Sequence, residues 1–375
     1  MTIIEKSDSM DRIKELSKKI VEHSLKINSD DKVLITYQNS QCNDLVIELI
    51  KNIAEKGAIS HVKCVDPIIN KELMFETNEV RADLLGDYSK FEVEHFTAFI
   101  SIVYTTNDYE DNKVPSSIRK IISNRTRKYS ELRINERKWV LLNYPSILDA
   151  YKAKMSTSDY RDFALSAMTT NYDELCRRVQ PLKELMENTD KVRIVGPNTD
   201  ITFSIKNIPV VPCCGESNLP DGEIFTAPVK DSVNGVITYN TPSPYHGEIF
   251  NNVSLSFKDG RIVDVKCNGN QEKLEEIFNT DEGSRFVGEF SLGLNPNILN
   301  PMGDILFDEK IIGSIHFTPG RAYDDADNGN RSDIHWDLVL IQRPEYGGGE
   351  IYFDDVLIRK DGDFILDELK ELNYK

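Results

Sequence analysis

From Met10 to Ile27 the apolar residues Ile13, Leu16, Ile20 and Leu25 recur at near-helical spacing, which predicts a surface helix at the start of the fold. DKVLITY (31–37) then reads as a strand. DLVIELIKNIAEKG reads as a helix stopped by Gly57, a residue suited to the position just past a helix end. ISHVKCV (59–65) is the next predicted strand and KELMFETNEVRADLLGDY the next helix. HFTAFISIVY (95–104) is nearly all apolar, as a strand buried on both faces would be. SSIRKIISNRTRKY reads as helical, KWVLLNYP (138–145) as a strand, and residues 146–188 as two helices. Strand alternating with helix predicts an α/β N-terminal domain around a parallel, doubly wound sheet.

After KVRIVGPNTD the period shortens. TDITFSI, GVITYN, VSLSFKDGRIVDVKC, FVGEFSLG, IIGSIHF, IHWDLVLI and EIYFDDVLIRKDGDF are short strand-like runs separated by turns. Within them, SLSF-KDG-RIVDV and VLI-RKDG-DFI have the form of hairpins with glycine in the turn. One helix, QEKLEEIFN (271–279), interrupts. The expected organisation is a scaffold domain over 1–190 and a mainly β (α+β) catalytic domain over 191–375.

Composition narrows the class. A chain of 375 residues is long for one core, and 39% hydrophobic with 9% aromatic residues suffices for a globular protein. No apolar run is long enough to span a membrane, and MTIIEKSDSMDRIKELSKKI has no basic segment followed by an apolar one, so a cytoplasmic chain without signal peptide is expected. A formal charge of −17 and a pI near 4.9 repel a phosphate backbone, which argues against nucleic acid as a partner. Neither G-x-G-x-x-G nor G-x-x-x-x-G-K-[ST] occurs in the first half, so nucleotide binding has no support there. The six cysteines at 42, 64, 176, 213, 214 and 267 form no C-x-x-C pair and are expected as reduced, buried thiols.

Candidate chemistry concentrates in IIGSIHFTPGRAYDDADNGNRSDIHWDLVL (311–340). In its last strand-like run Ile334, Trp336, Leu338 and Leu340 share one face, leaving His335 and Asp337 side by side on the other. Residues two apart on a strand stand roughly 7 Å apart at the backbone, so their tips can converge on one cation. His316 lies in the preceding run, IIGSIHF. Two carboxylates add to this set. Glu289 in FVGEFSLG points opposite Phe286 and Phe290, and Glu223 in NLPDGEIFTAP follows a Pro-Asp-Gly turn. Burying an unpaired carboxylate costs several kcal/mol, so each is either solvated or paired with a cation.

The blocks GPNTDITFSIKNIP, NLPDGEIFTAPVKDSVNG, GEFSLGLNPN, SIHFTPGRAY and SDIHWDLV, in this order and spacing, resemble the aminopeptidase T and aminopeptidase S family of metal-dependent exopeptidases. The resemblance runs from about Lys191 to the C-terminus. It implies that Glu223, Glu289, His316, His335 and Asp337 surround two divalent ions, with Tyr323 of GRAY as the site tyrosine. It further implies peptide substrates with a free N-terminus, and a homodimer. Some members carry a glutamate five residues before the first site histidine, where this chain has Ile311; Asp308 and Glu309 lie nearby. Position 311 is therefore expected to leave room for a water or for a carboxylate from elsewhere.

Such a residue set suits metal-assisted hydrolysis. Two cations about 3.5–4 Å apart polarise a scissile carbonyl and activate a shared water. One carboxylate, Glu223 or Glu289, must then bridge them. Tyr323 is placed to stabilise an oxyanion, and Glu289 or His335 to relay the proton to the leaving amine. Asp324, Asp325 and Asp327 are candidates for reading the substrate's α-amino group. Nitrogen and oxygen ligands without thiolates suit zinc, cobalt or manganese. Two other readings compete. His316, His335 and Asp337 alone would satisfy the two-histidine, one-carboxylate pattern of a mononuclear non-haem iron ring-cleaving dioxygenase. A metal-stabilised binding protein without turnover is the third.

Overall fold

The structure is a computed structural model that describes residues 3–245 and 247–373. Residues up to Thr169, with Gly215–Pro220, form one compact unit; Thr170–Cys214 and the chain from Asp221 onward form another. Among the described residues no helix is long and apolar enough to cross a membrane.

The first unit is built on five parallel strands, in the order Ile59–Cys64, Lys32–Tyr37, Ala98–Val103, Lys138–Asn143 and Asn218–Leu219. Val33, Ile35, Ile100, Ile102, Val140 and Leu142 make its buried centre. The opening helix runs Ile3–Lys19 and continues as a π-helical turn over Ile20–Ser24, and it buries the expected Ile13, Leu16, Ile20 and Leu25. Where one helix was expected over 71–88, two form, Pro67–Phe75 and Glu79–His95. The break is local chemistry: the Asn78 side chain accepts the Arg81 N–H and starts the second helix, while Asp66 and Pro67 start the first. Residues 146–188 likewise give three helices rather than two, Ile147–Lys152, Thr157–Met168 and Tyr172–Glu187, each opened by a capping Ser146, Ser156 or Asn171. Relative to a division at residue 190, the last of these groups with the second unit.

Asp31 clasps the starts of three neighbouring strands. Its carboxylate accepts from Lys138 Nζ at 2.7 Å, Thr97 Oγ1 at 2.7 Å and the Asn28 N–H at 2.9 Å. Burial opposes its ionisation, but these donors outweigh burial and hold the carboxyl below its usual range. A lowered folded pKa means the stabilisation is complete above the ordinary carboxyl pKa and is lost as pH falls through the folded value. Asp31→Asn is therefore expected to cost about 1–3 kcal/mol at pH 7. That cost should shrink in acid, as urea titrations at the two pH values would show. A cost independent of pH would remove the charge from the account.

The second unit contains two antiparallel sheets. In the nine-stranded one the order is Ser243–Tyr245, Glu248–Lys258, Asn234–Thr238, Thr199–Ser204, Lys191–Gly196, Glu350–Phe353, Val356–Lys360 and Asp363–Phe364, with Arg261–Asn268 also paired to Glu248–Lys258. Both expected hairpins are present, turning at Asp259–Gly260 and Asp361–Gly362 with positive φ at all four residues, as a two-residue type I′ loop requires.

The five-stranded sheet runs Val339–Ile341, Ser314–Pro319, Val287–Gly293, Glu223–Thr226 and Val211–Cys213. Its register sorts the side chains into two faces. Phe290, Leu292, Ile224, Ile315, Phe317 and Leu340 fall on one face, which meets the other sheet. There Phe203 lies 5.0 Å from Phe290 and 4.9 Å from Phe317, ring centre to ring centre, and Phe257 packs edge-on against Phe317. The opposite face carries Glu223, Glu289, Ser291, His316 and Thr318. A sheet whose core face is aromatic thus collects the polar residues of three strands on its other side.

Two expectations need correction. IHWDLVLI is not one strand: only Val339–Ile341 is, while His335 makes an isolated bridge with Gly320. At Gly320, φ is +109°, and a Cβ there would lie 2.1 Å from the Ile334 carbonyl, so close approach of the two backbones replaces a regular ladder. The alternation survives as burial, with Ile334, Trp336, Leu338 and Leu340 inside. The six cysteines are free, yet only Cys42 and Cys214 are buried; Cys64, at the end of an edge strand, is exposed.

Candidate metal centre

Three of the sequence-selected residues come from the polar face of the five-stranded sheet. Glu223 opens its strand, Glu289 sits mid-strand beside a register shift at Gly288, and His316 lies on the neighbouring strand. His335 and Asp337 arrive from the irregular segment that precedes Val339, anchored by Trp336 among Tyr245, Phe250 and Phe278. Gly288 is required by the packing, since a Cβ would lie 2.4 Å from the Arg321 backbone.

All five residues converge. His316 Nε2 is 3.0 Å from Glu289 Oε1 and 3.4 Å from Glu223 Oε2. His335 Nε2 is 3.4 Å from Glu289 Oε2 and 3.1 Å from Asp337 Oδ1. Glu289 therefore faces one histidine with each oxygen. Glu223, Glu289 and His316 form one cluster with ligand atoms within 4.8 Å of one another, and Glu289, His335 and Asp337 form a second. The other nitrogen of each ring is tied to the main chain, His316 Nδ1 to the Glu309 carbonyl at 3.3 Å and His335 Nδ1 to the Arg321 carbonyl at 2.8 Å. An Nδ1–H donated to a carbonyl leaves the Nε2 lone pair facing the carboxylates, the tautomer a metal ligand needs.

Electrostatics separate the three acids of this centre. Burial opposes ionisation of Asp337, but His335, His316 and the Thr318 hydroxyl at 2.7 Å outweigh it and hold the carboxyl far below its usual range. Glu223 is also held low against burial, by Lys310, His316 and the Ser291 hydroxyl at 2.8 Å. Burial wins at Glu289, whose carboxyl is pushed up. Both imidazoles are driven up to about 10: burial lowers them, but the surrounding carboxylates outweigh it, chiefly Glu223 at His316 and Asp337 at His335. In the absence of a metal, the site gathers protons to balance its acids.

Two further candidates adjoin the cluster, Glu309, which the sequence offered only as a neighbour of position 311, and Lys310, which it did not single out. Ile311 is wholly buried, and Glu309, two residues before it, lies within electrostatic reach of Asp337, Glu223 and His316, with burial pushing its carboxyl up to about 8. Lys310 is 1% exposed, and its ammonium donates to Glu223 Oε1 at 2.7 Å and to the Glu309 carboxylate. Ser291 and Thr318, two residues beyond Glu289 and His316, could have been found from the period of two; the Glu309–Lys310 step, in a turn after the short helix Ile305–Asp308, offers no such period. Tyr323 is half-exposed at the rim, its ring 4.6 Å from that of His335 and 5.8 Å from that of Phe225. Asp327 is paired with Arg331 at 2.6 Å.

Nitrogen and oxygen donors fit divalent cations, and one atom points to them directly. Glu289 Oε2 is buried with no hydrogen-bond donor among the described residues, an expensive state for a carboxylate oxygen that a cation would relieve.

Comparison with known proteins agrees. The model of the thermophilic metalloprotease (M29) family matches residues 9–364. The chain belongs to that family. This M29 chain is 39% identical to aminopeptidase AmpS of Bacillus subtilis over 111 residues, covering 28% of the chain and 27% of the relative. It is 32% identical to aminopeptidase T of Thermus aquaticus over 158 residues, or 37% of the chain and 36% of the relative. With aminopeptidase PepS of Streptococcus thermophilus it shares 26% over 208 residues, 48% and 49% of the two. The matched stretches thus span about a quarter to a half of these relatives' length. In fold, the M29 chain is similar to AmpT from Thermus thermophilus, with a TM-score of 0.76 at 18% identity over 95% of this chain and 99% of that one. It is also similar to 2,5-dihydroxypyridine dioxygenase from Pseudomonas putida, with a TM-score of 0.61 at 15% identity over 96% and 99%.

Proposed function

We propose that this M29 chain is a metal-dependent aminopeptidase that removes N-terminal residues from peptides by means of a dinuclear metal site. The observation that carries the proposal is Glu289, which faces His316 with one oxygen and His335 with the other. Glu223 Oε2, Glu289 Oε1 and His316 Nε2 would hold one ion; Glu289 Oε2, His335 Nε2 and Asp337 Oδ1 would hold the second. Bound there, zinc, cobalt or manganese would polarise the scissile carbonyl and bring a shared water to a nucleophilic state near neutral pH.

The protein's own groups supply the rest. Although the Tyr323 ring is half-exposed, desolvation at its hydroxyl and the acids Glu289, Asp337 and Glu309 push its pKa further up, so the hydroxyl can donate to the oxyanion that develops on the substrate carbonyl. Glu309, pushed up to about 8 and paired with Lys310, is suited to hold and release a proton near neutrality and so to serve the leaving amine, alongside Glu289 and His335. A mononuclear iron centre would need His316, His335 and Asp337 and has no use for Glu223 beside them, which favours the dinuclear reading.

Metal analysis of the chelator-stripped and reloaded protein, together with hydrolysis of aminoacyl chromogenic substrates, tests this. Two ions per chain and cleavage that disappears when the substrate amine is acetylated are expected. Metal-loaded protein inactive on the whole panel would overturn it.

A further inference from the structure

Lys310 is an unusual neighbour for a metal centre. Its ammonium is buried not only against Glu223 and Glu309 but within electrostatic reach of Asp221 and Cys213. Cys213 and Glu223 are partners across antiparallel strands, so their side chains share a face. With Asp221 they form a third group whose ligand atoms lie within 4.8 Å of one another. A thiol and two carboxylates in that arrangement would attract a soft divalent ion. Here the corner already has a cation, and it is covalently part of the chain. The main chain fixes where that cation sits: the Lys310 N–H donates to the Phe307 carbonyl at 3.0 Å, and its carbonyl accepts the Asn295 N–H at 3.0 Å.

Glu223 lies between the two environments. Oε1 takes the ammonium at 2.7 Å, while Oε2 takes the Ser291 hydroxyl and faces His316. We propose that Lys310 is a positioning residue, a built-in cation that presents Glu223 to the metal centre through Oε2 alone and keeps a divalent ion out of the Cys213–Asp221–Glu223 corner. This rests on the metal-centre reading above. Without the ammonium, Glu223 would be free to turn or to chelate with both oxygens, and Glu223 and Glu309 would lose the buried cation they share.

Cobalt titration of the full chain tests it. Wild type is expected to bind two Co²⁺ per chain without a thiolate-to-cobalt charge-transfer band. Lys310→Met, of similar length and uncharged, should take up a third Co²⁺ and show that band, and the double variant Lys310→Met/Cys213→Ser should lose both. Cys213→Ser alone should leave the wild-type metal count and affinity unchanged, which tests the idea even if Lys310→Met fails to fold. A merely structural lysine would lower the melting temperature without moving the metal count or the spectrum, and that result overturns the proposal. So would a fall in metal content on Cys213→Ser. Wild type that bound no cobalt would overturn the metal-centre reading and this proposal together, whereas normal wild-type loading with an unchanged Lys310→Met would overturn the lysine's role alone.

Discussion

Asp337→Asn is expected to lose tight metal binding and peptidase turnover together while the fold survives. The carboxylate is held ionised by His335 at 3.1 Å and by the Thr318 hydroxyl at 2.7 Å, and its backbone is fixed by the buried Trp336 and Leu338 on either side. An amide keeps the shape and removes the charge that a cation needs. Several kcal/mol of transition-state stabilisation by a bound ion correspond to a loss of about 10³-fold or more in kcat/KM. Asp354→Asn is the control. Asp354 accepts the N–H groups of Asp190 and Lys191 in a turn with positive φ, a job asparagine can also do. Its metal content and activity should match wild type, with circular dichroism confirming that both variants fold. Full metal content and activity in Asp337→Asn would mean that His335 and Asp337 only pack.

What could be read in the sequence followed from periods. Alternation over 334–341 placed Ile334, Trp336, Leu338 and Leu340 inside and set His335 and Asp337 on the other side, even though Gly320 prevents a regular strand there. The parallel sheet and the two Asp-Gly hairpins were legible for the same reason, because burial and turn chemistry act within a few residues. The break at Asn78 was missed because one capping side chain outweighed an apolar pattern that runs through it. Glu309 and Lys310 were illegible as site groups. Their burial beside Glu223 is created by chain segments 87 residues apart, and no local pattern carries that information.

Glu289→Gln should separate stability from function. It is the residue shared by both ligand clusters, so its loss is expected to reduce bound metal to one ion or none per chain and to lower kcat/KM by about 10³-fold or more. Its carboxyl is pushed up by burial, so in the metal-free fold the ionised form carries a desolvation cost that glutamine does not. In the presence of chelator the glutamine variant should therefore melt no lower than wild type. Elemental analysis, turnover and melting curves with and without chelator check the three statements. A variant that melted lower in chelator yet kept both ions would show Glu289 to be a structural acid.

Each imidazole is tied through Nδ1 to a carbonyl of the main chain, that of Glu309 or Arg321, while its other nitrogen faces side-chain carboxylates. Exchange of one of those carboxylates leaves the main-chain acceptor in place. The acids around the rings can thus be exchanged one at a time, by drift or in a laboratory library, while both lone pairs keep their aim. Ion preference and reaction chemistry are free to diverge on such a frame, because its most demanding geometric requirement is inherited with the backbone itself.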